Sequence, residues 1–174
     1  MEFIGQTMWL WRIIHILAGV FWVGTTLFLA RFLGPTAKAT APESGKVMQY
    51  LLVRTRFIAV IILASSLTLL SGLIMYVPVS GAGNAAWATS PTGLALSIGA
   101  LFGILGFFHG WLAVGRPNQK IAEIAREVMA SGGPPSEEQM GQLQMLSGKV
   151  SSNSNITAIL LVVAVLGMSL ADAL

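Results

Sequence analysis

Four apolar runs decide what this chain can become. They cover about residues 7–33, 57–79, 93–115 and 156–170. A helix needs about 20 predominantly apolar residues to cross the hydrocarbon core, and it satisfies its own backbone while doing so. Little sequence is left over. Of 174 residues, 55% are hydrophobic and only 10% are charged, against about 25% charged in soluble domains. The expected fold is therefore all-α, a single integral membrane domain built as a four-helix transmembrane bundle in contact with lipid.

The charges sort by link. Arg31, Lys38, Lys46, Arg54 and Arg56 flank or join the first two runs, and Arg116, Lys120, Arg126 and Lys149 join the last two. The link over residues 80–92 holds no charged residue. The excess of Lys and Arg in cytoplasmic loops predicts both basic links inside and both termini outside, in a multi-pass protein of the cell's inner (plasma) membrane. Trp9, Trp11 and Trp87 suit the outer interfacial belt, with Tyr76 nearby. The net charge of +3 is spread over these links, not gathered in a patch, which argues against a nucleic-acid partner. Residues 1–6 carry Glu2 and no Lys or Arg. They lack the basic start of a signal peptide, so the first run is expected as a permanent span. The absence of cysteine excludes disulfides, cysteine-held zinc and iron–sulfur clusters.

The third link has structure of its own. Ile121, Ile124, Ala125 and Val128 form a helical stripe. Ser131-Gly132-Gly133-Pro134-Pro135 breaks the chain, and Ser136-Glu137-Glu138 has the chemistry of a helix start. Arg116-Pro117 marks either a kink or a fresh start. The third and fourth helices are thus expected to extend on the cytoplasmic side, as a solvated hairpin or as a docking surface.

One titratable group stands inside the first run. His15 shares a helix face with Trp11, Gly19 and Trp22. Burying a charged side chain at mid-membrane costs roughly 2.5 kcal/mol or more on insertion scales. Something must therefore hold His15. Gly19 would leave bare backbone one turn away, a gap suited to a flat macrocycle, with Trp22 as its lower wall. An axial ligand for haem b is one reading. A neutral histidine bonded to a polar group on a neighbouring helix is the other.

His109 is the remaining histidine. His15 lies sixteen residues before Arg31 and His109 seven before Arg116, roughly 24 and 10 Å at 1.5 Å per residue. That difference in depth argues against one iron held by both within a single chain. Met75, nineteen residues beyond Arg56 and roughly 28 Å up, fits His15 better, as do Met8 and Met168. A thioether serves haem or Cu(I), or simply fills packing gaps. Gly99, Gly103, Gly106 and Gly110 make one face of the third run, for close helix packing or for a groove. Two copies meeting along that face would bring two His109 residues to one depth. The span interiors hold no acidic residue and no lysine, so an ion-coupled relay lacks its usual group.

The segment from His15 through Trp22 to Gly24 resembles the first helix of a superfamily of small membrane proteins. It includes CopD-type copper-resistance proteins, HemJ-type protoporphyrinogen oxidases and the membrane domain of bacterial urate oxidases. In those families a histidine is followed seven residues later by tryptophan and often by glycine two further on. The resemblance implies a haem or metal ligand at His15, with Trp22 and Gly24 lining its pocket. The function expected is that of a b-type haem protein in membrane electron transfer. Its cofactor-binding set is His15, Gly19, Trp22, Met75 and His109. Its partner is quinone or other subunits of a membrane redox complex, or a second copy in a homodimer. A non-catalytic accessory subunit and a copper-handling protein are the alternatives.

Overall fold

The computed structural model describes residues 6–41, 43–81, 83–171 and 173–174, and all regular structure among them is helical. Helix α1 covers Met8–Phe28 and passes through a π-helical turn, Leu29–Leu33, into α2, Gly34–Ala39. Then come α3, Ser44–Arg54, α4, Phe57–Val79, the single turn α5, Ala85–Ala88, and α6, Pro91–His109. A second π-helical turn, Gly110–Gly115, leads into α7, Arg116–Ser131, and α8 covers Glu137–Ala171. Four continuous helical stretches are long and apolar enough to cross a membrane: Met8–Ala39, Phe57–Val79, Pro91–Ser131 and Glu137–Ala171. Each contains one of the expected runs. The reading of residues 1–6 as lacking a signal peptide rests mostly on residues 1–5, which lie outside the described residues.

The ends of these helices follow local chemistry. Ser90 caps α6, its Oγ accepting from Gly93 N at 3.1 Å, with Pro91 in the first turn where its missing N–H costs nothing. Ser136 and Gln139 form a reciprocal capping box at the start of α8: Gln139 N donates to Ser136 Oγ at 3.2 Å, and Ser136 N to Gln139 Oε1 at 3.0 Å. The helix start read at Ser136-Glu137-Glu138 lies there. Gly132, at φ 68°, stops α7 in the left-handed conformation that glycine adopts freely. Arg56, at φ 54°, makes the break between α3 and α4.

Neither Pro35 nor Pro117 ends its helix. Proline lacks an N–H and clashes with the carbonyl four residues back. Just before each, the helix widens: Gly34 N bonds Leu29 O and Arg116 N bonds Trp111 O, five residues apart instead of four. Arg116-Pro117 is therefore a widened turn within one continuous helix.

The long helices pack in pairs. Between α6 and α8 the backbones approach closely, because glycine faces glycine and alanine. A Cβ placed on Gly99 would stand 2.8 Å from Met168 N and 2.9 Å from Ala164 O, and one on Gly167 2.8 Å from Gly99 Cα. In lipid such pairs gain dispersion rather than hydrophobic free energy, so close approach matters most. The glycine face is a packing face, and α8 fills it. α4 and α6 are joined toward their Tyr76 and Ser97 turns by Tyr76 Oη and Ser97 Oγ, 2.7 Å apart. Between the four sits a small core of Trp22, Ala64 and Leu161, with Val23, Ile61 and Phe107 packed against it. Trp22 meets Phe107 edge-on at 6.3 Å between ring centres.

Beyond the second π-helical turn, α7 packs on α8 and α3 packs on α7. Leu52, Ala122, Ile124 and Ala125 are buried there, and Gln49 Nε2 donates to Ala125 O at 3.2 Å.

Candidate functional site

His15 is held by α4. Its Nδ1 lies 2.8 Å from the Thr68 carbonyl oxygen, with Ser71 Oγ at 3.4 Å. A carbonyl has no proton to give, so Nδ1 carries the hydrogen and donates. In the neutral imidazole Nε2 then keeps its lone pair. No hydrogen bond to Nε2 occurs among the described residues, and His15 is only partly buried. Gly72 makes this seat possible: a Cβ there would be 2.9 Å from His15 Cε1. A ring nitrogen fixed on a backbone carbonyl, with the other free, is how metal-ligating histidines are oriented. It also satisfies the simpler reading, a polar contact between neighbouring helices.

The expected gap beside Gly19 is not there. A Cβ on Gly19 would touch Thr68 Cγ2 at 3.4 Å. Thr68 fills the bare backbone, so Gly19 serves the approach of α4. Gly24 is exposed, and nothing lies within 4 Å of a Cβ built on it, so it walls no pocket. Trp22 is buried, but two turns away from His15 in the core shared with Phe107.

Met75 lies one turn beyond Gly72, on the α4 face that carries Thr68 and Ser71. Met168 is spent elsewhere: it lies along the glycine face, its Cε 3.7 Å from the Cβ position of Gly103. His109 is bonded within its own helix pair, Nδ1 to Thr157 Oγ1 at 2.9 Å. The packing of Trp22 on Phe107 sets the register of α1 against α6. His15 then stands seven residues on one side of that level and His109 two on the other, roughly 13 Å apart in depth. The two histidines do not converge. Nor do three or more His, Cys, Asp or Glu gather as a metal site among the described residues.

A second site lies below Trp22. It is a cavity of about 390 Å³ between α1, α4, α6–α7 and α8. Trp22 and Phe107 stand at one end, Phe57, Asn118 and Ser154 toward the other. Both widened turns border it, through Leu29 and through Gly110, Trp111, Val114 and Gly115. Helical hydroxyls normally bond back to their own backbone. Thr26, Ser65 and Thr157, all on this wall, do so. Ser154 and Ser66 do not, and Ser154 is only 8% exposed. No charged residue lines the cavity among the described residues.

Sequence reasoning missed Ser154, Ser66, Asn118, Phe107 and Trp111 as site residues. Pro35 and Pro117, just past the ends of their apolar runs, were visible in the sequence, but that the helices continue through them with a widened turn was not. Compared with protein-family models, curated proteins and solved structures, the chain matches none.

Proposed function

We propose that this chain is a membrane haem b subunit that takes part in electron transfer, with His15 Nε2 as an axial ligand. The observation that carries this reading is the Nδ1 contact with the Thr68 carbonyl at 2.8 Å, which leaves Nε2 without a hydrogen-bond partner among the described residues on a partly exposed ring. The donor chemistry suits an axial position. The space within the chain does not enclose a macrocycle, since Thr68 occupies the place beside Gly19. A haem held by His15 would have to lie outside the packed α1–α4 contact, with His15 as the residue that holds it. Haem there supplies one-electron redox chemistry; the chain's own part is to hold the imidazole tautomer and orientation. This joins the haem reading to that of a subunit in a larger membrane assembly.

The same proposal includes placement. The four apolar stretches form a four-helix transmembrane bundle in the inner membrane, with α3, α7 and the first half of α8 on the cytoplasmic side and both termini outside. The distribution of Lys and Arg supports it.

The test is an absorption spectrum of the chain purified from a haem-replete host, with its membrane partners retained. A Soret band that disappears in His15→Ala supports the reading. A colourless preparation, or a band that His15→Ala leaves intact, overturns it.

A further inference from the structure

We propose that the cavity below Trp22 binds a neutral, lipid-soluble ring bearing carbonyl acceptors, of the quinone class, and that Ser154 Oγ–H donates to one of those carbonyls. Four observations lead there. Ser154 is nine-tenths buried, lines the cavity and has no hydrogen-bond partner among the described residues. Its Oγ is not sealed into the packing, so the hydroxyl stays open to an acceptor that enters the cavity. Ser66, on α4, also lines the cavity and makes no hydrogen bond among the described residues, though it is only half-buried. The donors face a space without a charged wall, which selects against carboxylate and phosphate head groups.

The rest of the lining is aromatic and aliphatic. Trp22 and Phe107 close one end, and Phe57 and Trp111 flank the other. These rings offer flat faces to a flat ligand. Trp111 is 42% exposed while also lining the cavity, so it stands at the edge through which a lipid-soluble tail reaches the bilayer. The volume of about 390 Å³ falls within the range of about 300–1,000 Å³ typical of small-molecule sites. No histidine lines the space, which separates it from the seat of His15. Both π-helical turns border it, each just before a proline. Such turns recur at functional sites.

The proposal is tested by calorimetric titration of a decyl-tailed benzoquinone into the full chain in detergent micelles, against protein-free micelles. Saturable binding is expected. Ser154→Ala weakens it by about five- to tenfold, as loss of one hydrogen bond implies. Ser66→Phe fills the space and abolishes it. The helical circular dichroism of both variants checks that each is folded. Absence of saturable binding in the parent chain overturns the proposal, as does unchanged affinity in a folded Ser154→Ala. Palmitate binding as tightly as the quinone also overturns it, since the site would then take an acyl chain. The readout is heat, not haem absorbance, so the fate of this proposal is seen separately from that of His15.

Discussion

His15 Nδ1 and the Thr68 carbonyl oxygen lie 2.8 Å apart across the α1–α4 contact. That bond consumes one ring nitrogen, and the other makes no hydrogen bond among the described residues. Gly72 is what lets the ring come so near.

Gly72→Ala tests that seat. Its Cβ would stand 2.9 Å from His15 Cε1 and 3.2 Å from Nδ1, so the imidazole has to swing away from Thr68. A loss of about 1–3 kcal/mol is expected, as for overpacking elsewhere. Reversible unfolding by SDS in mixed micelles measures it. A change in the Soret position alongside would tie the seat to ligation.

The α6–α8 contact predicts a contrast between glycines. Gly99→Ala drives a methyl into the Met168 and Ala164 backbones, which cannot rotate aside, and destabilises by about 1–3 kcal/mol. Gly148→Ala, on an exposed stretch of α8 with nothing within 4 Å, stabilises by about 0.5–1 kcal/mol through helix propensity. Equal effects in the same unfolding assay would contradict the packing described.

Trp22→Ala removes the largest member of the central core, a side chain only 6% exposed. The loss of dispersion contacts costs on the order of 3 kcal/mol. Trp22→Phe keeps most of the contact with Phe107 and should lose less than half as much. Thermal melts followed by circular dichroism distinguish the two.

Ser136→Ala deletes the capping box of α8, worth about 1 kcal/mol to that helix end. Hydrogen exchange should quicken over the first turn after Glu137 and stay slow beyond residue 154. Uniform quickening along α8 would show that the end is not an independent unit.

The chain has no cysteine, so single cysteines report its sidedness cleanly. Gly83→Cys should react with a membrane-impermeant maleimide in intact cells. Gly133→Cys should react only after permeabilisation. The reverse pattern would invert the proposed orientation.

Much of the molecule was legible beforehand. The four runs, the stripe through Ile124 and Ala125, and the start of α8 at Ser136 all follow from patterns within one helix. The spacing of Gly99, Gly103, Gly106 and Gly110 announced a face for close contact. It did not say that α8, rather than a second copy, would fill it. Gly19 shows the same limit: its missing side chain was visible, but Thr68 as its occupant was not.

The sequence by itself determined the all-helical class and the number of long apolar helices, because apolar length acts locally; it did not show α3, Ser44–Arg54. The tertiary structure alone decided which faces meet. In lipid, outward-facing and inward-facing positions are equally apolar, so hydrophobicity cannot mark the interior. Steric fit does so instead. That fit turned Gly19 toward Thr68, placed His109 on Thr157, and opened a cavity where Pro35 and Pro117 widen their helices.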